Sequence, residues 1–326
     1  MKLERRALYN LLRMNWLQDS EMDVEEWQVA DYRRISLNEI IGRLEEKEIY
    51  LDQDTFHAFA ETFDTPEELS DSVLESYDLE PEEKDEAYLL LFEIWRRLLP
   101  EKPCLSIFCD ELDQLIHSYD EEKMVDSEKF EDVLANLQVI LDENADEGMK
   151  PEDVYKIVVA GCANDVESFL YDYIADQLDV ENIAYAGELF EGFNQYLKNS
   201  KWFKLLECRI LSEIDPDKAE PPIQKMIRQA LKEPDLQYYL DILSFLIQGG
   251  EKSDFRKLAI KSLEIFSAEE DFQDLLSICA DYYECLDEEE KEDEIQKLID
   301  QRSHLSLDGK LSPKDPDLSK VRKILT

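Results

Sequence analysis

Glycine stands at only 8 of the 326 positions, and this scarcity restricts the fold more than any other feature of the sequence. Tight β-hairpin turns and phosphate-binding loops need backbone conformations with positive φ, which glycine adopts at the lowest cost. The chain contains no glycine-rich nucleotide-binding motif and no nucleophile-elbow motif. We therefore predict an all-α protein, in which a helical bundle is followed by stacked antiparallel helix hairpins.

Two capping boxes mark helix starts early in the chain, at Ser36 to Glu39 and at Thr65 to Glu68. In each box the hydroxyl accepts a hydrogen bond from a free backbone N–H, and the glutamate three residues later reaches back to the cap. Proline and acidic residues after Glu80 open a third helix, which we expect to end at Pro100. Amphipathic segments predict further helices over roughly 3–17, 105–119, 127–142, 152–162 and 164–178.

Helix-start signals become regular after about residue 180. They fall near Glu181, Ser200, Pro221, Asp235, Ser253, Glu269 and Glu288. Intervals of roughly fifteen to twenty residues predict helix hairpins that repeat about every 35 residues, which is the period of stacked helix pairs. An ordinary helical bundle with hairpins of average length is the alternative.

The apolar residues of successive hairpins form similar patterns. They are Trp202, Leu205, Leu206, Ile210 and Leu211, then Leu236, Leu240, Leu243 and Leu246, then Phe272, Leu275, Leu276 and Cys279. Over about residues 180–302 the chain resembles tetratricopeptide and HEAT-type helical solenoids, and this resemblance implies stacked helix pairs. If Trp202 holds the aromatic position of the tetratricopeptide motif, the two small positions hold Leu206 and Lys218, and the next aromatic position holds Pro222. The motif is broken at those three positions, so no peptide-binding residue of that family carries over.

The sequence predicts three regions: a helical region over 1–178, a helical-repeat-like region over 179–302 and a basic, partly extended tail over 303–326. The tail contains prolines and serines and ends in a short amphipathic segment, Leu318 to Leu325. The first predicted helix is also basic, through Lys2, Arg5, Arg6 and Arg13. We expect the cations of the tail to fold onto an acidic face and to shield it until a partner displaces them.

Acidic residues outnumber basic residues by 79 to 36, which gives a formal net charge of −43. Such a charge opposes binding to nucleic-acid phosphates and to anionic membranes. No apolar stretch approaches the length of about eighteen residues that a transmembrane helix needs, and the N-terminus lacks the apolar core of a signal peptide. The six cysteines are spread through mostly apolar settings, as buried, reduced thiols are. We expect a cytoplasmic protein that contacts neither nucleic acid nor membrane directly.

Cys109, Asp113 and His117 are spaced four residues apart on a predicted helix and therefore share one face. This face is the alternative hypothesis for a helical metal protein or enzyme, although the chain has only 3 histidines to supply further ligands. The acidic segment from Asp142 to Asp153 imitates a calcium-binding loop, but its sixth position is Glu147 where such loops need glycine. We predict no resident metal, no cofactor and no enzymatic activity.

Aromatic pairs and an acidic run are the candidates for a protein-binding surface. The aromatic candidates are Tyr238, Tyr239, Tyr282 and Tyr283, and the acidic candidates are Glu288, Glu289, Glu290, Glu292 and Asp293. Long-range attraction speeds an encounter, and apolar anchors supply affinity. Our leading hypothesis is a non-enzymatic adaptor or chaperone-like scaffold that binds a protein partner through a basic or amphipathic segment. Acidic mimicry of nucleic acid is a further hypothesis, which differs from the first only in the partner.

Overall fold

A computed structural model describes residues 11–102, 104–121, 127–146, 148–249 and 252–326. Over these ranges the chain forms α-helices and two short 3₁₀ helices (Glu26–Gln28 and Tyr32–Arg34) and no β-strand, which confirms the all-α class. The predicted first helix begins outside the described residues. The α-helices are α1 (Leu11–Gln18), α2 (Leu37–Glu46), α3 (Gln53–Ala60), α4 (Pro66–Leu74), α5 (Pro81–Leu98), α6 (Leu105–Asp120), α7 (Ser127–Asp146), α8 (Pro151–Val159), α9 (Val166–Asp179), α10 (Ile183–Asn194), α11 (Lys201–Ile214), α12 (Pro216–Ala230), α13 (Leu236–Gly249), α14 (Lys252–Ser262), α15 (Glu269–Cys285), α16 (Glu289–Arg302) and α17 (Pro316–Leu325).

The predicted caps lie at the helix starts. The Ser36 hydroxyl accepts a hydrogen bond from the Glu39 backbone N–H at 3.2 Å, and the Thr65 hydroxyl accepts one from the Glu68 N–H at 3.3 Å. At the start of α5 the Glu80 backbone N–H donates to the carboxylate of Glu83. These helix starts are therefore set by contacts within a single turn of chain.

The first compact unit comprises the residues up to Asp172 together with Gly192–Leu197. One cluster of buried apolar side chains in this unit contains Trp95, whose indole N–H donates to the Lys102 carbonyl at 3.1 Å. Arg97 donates to three backbone carbonyls of the second 3₁₀ helix and its C-cap, those of Tyr32 (2.9 Å), Arg33 (3.2 Å) and Ile35 (2.8 Å). Three hydrogen bonds from this one side chain therefore fasten the segment to α5.

The second compact unit comprises Tyr173–Glu191 and Lys198–Thr326. Its helices pack as hairpins, α11 with α12, α13 with α14 and α15 with α16, and α13 also packs against both α11 and α15. The first helices of these hairpins begin at Lys201, Leu236 and Glu269, so the hairpins are offset by 35 and 33 residues. The unit is solenoid-like because each hairpin packs mainly on its neighbours in sequence.

One predicted helix start is wrong. We expected a helix to begin at Pro221, but α12 begins at Pro216, and both Pro221 and Pro222 lie inside it. Asp215 separates the helices: its backbone N–H closes α11 on the Leu211 carbonyl at 2.8 Å, and α12 follows at once. Proline favours the first turn of a helix, and Pro216 holds that position here. The other starts in this unit lie within two residues of the predicted positions.

The tail is part of the second unit. Its helix α17 packs on α14 and α16 and buries four apolar side chains, Leu318, Val321, Ile324 and Leu325. The preceding segment bonds to the start of α15, where the Glu269 N–H donates to the Gly309 carbonyl at 2.8 Å. A Cβ at Gly309 would lie 2.7 Å from the Ser306 carbonyl oxygen, so this turn requires glycine.

Candidate interaction surface

The hairpin of α15 and α16 has the most acidic surface of the second unit. Residues 269–302 contain 14 Asp or Glu and 3 Lys or Arg, a net charge of −11 within a chain of −43. Acidic residues also fill the first turn of both helices, where they complement the positive end of the helix dipole. The hairpin therefore gathers about a quarter of the net charge on about a tenth of the chain.

Helix α15 has one buried and one exposed face. Its buried side chains include Phe272, Leu275, Leu276, Cys279 and Tyr283. The opposite face is exposed and acidic, with Glu270, Asp274, Asp281 and Glu284 at spacings of 4, 7 and 3 residues. We call these four residues the acidic stripe. The sequence analysis did not predict these four residues, because they are spaced along the helix and do not form a continuous acidic run. Their helical spacing is the signal that identifies them.

The acidic residues predicted on α16 differ in exposure. Glu289, Glu290 and Asp293 are exposed, together with Glu294, which was not among the predicted residues. Glu292 is half-buried. Glu288 is also half-buried and lies within ion-pair distance of Lys291 (3.1 Å) and Arg256 (3.8 Å). The hydrogen bond from Lys291 lowers the pKa of Glu288.

The four predicted tyrosines are buried, so they are not exposed anchors in this structure. Each hydroxyl donates to a backbone carbonyl: Tyr238 to Lys201 (2.9 Å), Tyr239 to Ala230 (3.1 Å), Tyr282 to Lys252 (3.4 Å) and Tyr283 to Ile324 (3.0 Å). A buried tyrosine is stable when its hydroxyl has such a partner. These hydrogen bonds join one helix to another inside the second unit.

Arg302 fixes the base of the hairpin. Its guanidinium bonds both carboxylate oxygens of Glu269 (Nε–Oε1 2.8 Å, Nη2–Oε2 2.5 Å) and also Asp317 (2.8 Å). The same group lies over the Phe272 ring, 4.9 Å from its centroid. Burial alone would raise the pKa of Glu269, but the hydrogen bonds from Arg302 and Gln273 outweigh it and lower that pKa. The end of α16, the start of α15 and the tail are thereby held in one arrangement.

Two exposed leucines lie in the chain segment that follows α16. Leu305 is 40% exposed and Leu307 is 49% exposed. The Leu307 carbonyl accepts a hydrogen bond from the Glu270 N–H at 3.2 Å, so this leucine lies beside the first residue of the acidic stripe. Apolar and acidic groups therefore share one edge of the hairpin, and sequence reasoning had assigned this segment to an extended tail.

A separate cavity of about 330 Å³ opens at the start of α11 and α13. The Lys201 ammonium lies over the rings of Trp202 (4.8 Å to the centroid) and Tyr238 (5.3 Å), and it pairs with Asp235. The side chain of Asp235 also accepts the Tyr238 N–H at 3.0 Å and so caps α13. The hydrogen bond from Lys201 lowers the pKa of Asp235 although burial acts to raise it. This lysine and its carboxylate satisfy each other and hold two hairpins together.

The predicted metal-binding face of α6 does not converge on a common point. The Cys109 thiol donates to the Val158 carbonyl at 3.5 Å, and the Asp113 carboxylate accepts the backbone N–H groups of Ala163 (2.8 Å) and Asn164 (3.0 Å). His117 lies 3.3 Å from Glu121, one turn further along the helix. Among the described residues, no three His, Cys, Asp or Glu side chains are grouped as metal ligands. Each of the three side chains therefore has a partner of its own. Cys109 and Asp113 join α6 to the chain that follows it, and His117 pairs with Glu121 at the end of the helix.

In the calcium-like segment, too, a candidate ligand already has partners within the protein. The Asp142 carboxylate accepts hydrogen bonds from the Tyr196 hydroxyl and from Gln195 (3.2 Å). Glu147 lies outside the described residues. Gly148 adopts a φ of 103°, so the turn that glycine permits occurs one position later than a calcium loop needs.

Comparison of the chain with protein-family models, with curated proteins and with solved structures finds no match. Within the described part of the chain, no helix combines the length and the apolar character needed to cross a membrane. The arguments for function therefore rest on the residues and contacts of this chain.

Proposed function

We propose that this protein is a non-enzymatic adaptor or chaperone-like scaffold whose α15–α16 hairpin binds a basic, amphipathic segment of a partner protein. The observation that carries the proposal is the acidic face of the hairpin, where Glu270, Asp274, Asp281 and Glu284 are all exposed. A surface of this sign attracts lysine and arginine side chains and repels nucleic acid. The partner is therefore expected to be a protein.

Electrostatic attraction in this proposal sets the rate of encounter. At physiological salt, exposed charges are screened beyond about 8 Å, so only a partner that approaches the hairpin closely feels its local field. A dense patch of −11 acts over that distance more strongly than charges scattered over the chain. Association is therefore expected to slow as salt increases.

Apolar contact supplies the remaining affinity. Leu305 and Leu307 take the role that sequence reasoning gave to the tyrosines, because they are exposed and lie beside the acidic stripe. A partner helix with lysines on one side and leucines on the other would match both kinds of group. The Arg302 cluster keeps the surface rigid, which reduces the entropy lost on binding.

As part of the same proposal, we assign the protein to a reducing compartment, the cytoplasm. All six cysteines are free thiols, and Cys104, Cys109, Cys208 and Cys279 are buried. Burial raises the pKa of Cys104 to about 12 and the pKa of Cys279 likewise, so these thiols resist forming the reactive thiolate.

The test is stopped-flow binding of a synthetic helical peptide of about five turns with one lysine face and one leucine face. The hairpin variant Asp274→Asn/Asp281→Asn/Glu284→Gln should reduce the association rate about three- to tenfold, because it removes three exposed charges of the acidic stripe. A second variant, Leu305→Ser/Leu307→Ser, should increase the dissociation rate and leave the association rate nearly unchanged.

The matched control places the same loss of charge on the first unit, as Asp78→Asn/Glu82→Gln/Asp85→Asn, where all three side chains are exposed. This control should bind the peptide as the unmodified protein does. Equal weakening by the control and the hairpin variant would show that only the total charge matters and would reject the hairpin as the binding site.

A further inference from the structure

Helix α12 has an exposed basic face, although the chain as a whole is strongly acidic. Lys218, Lys225 and Arg228 lie in α12 and Lys232 follows two residues after its end; all four are exposed, at spacings of 7, 3 and 4 residues. These spacings place them on one side of a helix. The buried residues of α12 form another side and are Ala219, Ile223, Met226, Ile227 and Ala230. We call the four cations the basic stripe.

Most of the basic stripe has no ion-pair partner within the described residues. Lys218 pairs with Asp215 at 2.5 Å, but the Lys218 side chain is 76% exposed. Lys225, Arg228 and Lys232 form no salt bridge with any described carboxylate. Within its own chain α12 packs against α11 and α13, and it reaches α14 through the hydrogen bond from Gln224 to Asp254. Apart from the pair of Lys218 with Asp215, the charges of the stripe therefore have no salt bridge among the described residues.

The basic stripe and the acidic stripe have matching lengths. Each covers 15 residues, from Lys218 to Lys232 and from Glu270 to Glu284, and the 14 steps between first and last residue correspond to about 21 Å along a helix. When the two helices run antiparallel, three pairs of opposite charge fall at the same level. These pairs are Lys232 with Glu270, Arg228 with Asp274 and Lys218 with Glu284. Lys225 then faces Ser277, and the two helix dipoles also oppose each other favourably.

We infer that the basic stripe of α12 binds the acidic stripe of α15 in a second copy of the same chain, with the two helices antiparallel. This inference rests on the proposed function, because it names a partner for the same acidic hairpin. The side chain of Asp274 gives separate support: burial and the neighbouring carboxylate of Asp271 raise its pKa, so a cation beside it would relieve an existing repulsion.

The net charge of −43 on each copy opposes association at long range. Screening beyond about 8 Å at physiological salt removes most of that repulsion, whereas paired charges in contact keep their attraction. Self-association is therefore expected near physiological salt. It should disappear in about 1 M salt, where even neighbouring charges are screened at about 3 Å.

Sedimentation velocity of the purified protein over a range of concentrations tests the inference. The unmodified protein should form a larger species as its concentration increases. Reversal of one stripe, as Arg228→Glu/Lys232→Glu or as Glu270→Lys/Asp274→Lys, should increase the dissociation constant at least about tenfold, because two attractions become two repulsions. The variant with all four substitutions should associate again, within about threefold of the unmodified protein.

A control of equal charge change, Lys198→Glu/Lys314→Glu, uses two exposed lysines of the second unit that lie outside the basic stripe. It should leave the dissociation constant within about threefold of the original value. Circular dichroism confirms that each variant is folded before it is compared. A protein that stays monomeric at every concentration, or a fourfold variant that does not associate again, overturns the inference.

The two proposals can fail separately. If the lysine–leucine peptide binds the hairpin but the protein stays monomeric, the self-association is wrong and the proposed function stands. If the peptide binds equally well to the unmodified protein and the hairpin variant, the proposed function is wrong. The sedimentation experiment still decides the self-association, because it measures binding between two copies of this chain and not binding of the peptide.

Discussion

Arg302 and Glu269 form a two-point ion pair that is almost closed to solvent, with side-chain exposures of 7% and 5%. The two residues lie 33 positions apart, at the end of α16 and at the start of α15. Asp315 and Asp317 approach the same guanidinium from the tail. One guanidinium therefore contacts three carboxylates and reduces the repulsion among them.

Replacement of Arg302 by alanine should destabilise the second unit by about 3–5 kcal/mol, because it leaves the buried carboxylate of Glu269 without its cation. Hydrogen exchange measured by mass spectrometry should become faster in the variant than in the unmodified protein, and more so in α15 and α17 than in the first unit. Lys320→Ala is the matched control, since Lys320 is 56% exposed and pairs only with Asp317 at 2.7 Å. It should cost no more than about 1 kcal/mol. Equal effects of the two substitutions would contradict this account.

The second unit should lose stability in acid. Burial acts to raise the pKa of Glu269 and of Asp317, but hydrogen bonds outweigh it. Those from Arg302 lower the pKa of Glu269, and those from Lys320 and Arg302 lower the pKa of Asp317. A lowered carboxyl pKa stabilises the folded state above the ordinary carboxyl range, and this contribution is lost as pH falls through the folded-state pKa. Urea unfolding should therefore need less denaturant below about pH 4, and Glu269→Gln should reduce this dependence.

The first unit should become more stable as pH falls between about pH 6 and 4, which is opposite to the response of the second unit. Burial raises the pKa of Asp110 from 3.8 to about 6, although the Arg33 guanidinium beside it acts to lower it. Between about pH 4 and 6 the folded state holds a proton that the unfolded state has released, so stability increases as pH falls through this range. The gain should be on the order of 3 kcal/mol.

Fluorescence can follow the first unit alone, because three of the four tryptophans belong to it and Trp202→Phe removes the fourth. In that background, urea unfolding at several pH values should show the gain. Adding Asp110→Asn should reduce it substantially, because the amide does not titrate. Burial also raises the pKa of Asp113 in the same unit, so a smaller dependence remains. An undiminished pH dependence would show that another group is responsible.

The tail should stabilise the fold in addition to any effect on binding. Val321 and Leu325 are fully buried, and the Tyr283 hydroxyl donates to the Ile324 carbonyl at 3.0 Å. Leu325→Ala should lower the unfolding free energy by about 2–5 kcal/mol, whereas Lys323→Ala, on the exposed side of α17, should change it by less than about 0.5 kcal/mol. Thermal unfolding of both variants measures the difference.

This packing also changes the expected result of removing the tail. Sequence reasoning predicted that removal would uncover an acidic face and strengthen partner binding. In the structure the same deletion removes five buried apolar side chains, Leu311 and the four of α17, and two carboxylate partners of Arg302. Substitutions of the exposed cations Arg322 and Lys323 therefore test shielding better, because they leave the core of the unit unchanged.

Local chemistry made much of the fold predictable. The caps at Ser36 and Thr65 act over three or four residues, so the sequence identified these helix starts correctly. The misplaced start at Pro221 has a related cause, since proline suits a first turn wherever it stands in sequence. The structure places the first position at Pro216, directly after the Asp215 N–H closes α11.

The sequence alone determined the all-α class, the hairpin spacing and the acidic character of the hairpin, because each depends on composition or on neighbours within about one helical turn. The tertiary structure decided which groups remain exposed. It buried Tyr283 against Ile324, 41 residues away, and it paired Glu269 with Arg302. Contacts between residues so distant in sequence depend on how whole helices pack, and no local pattern specifies that packing.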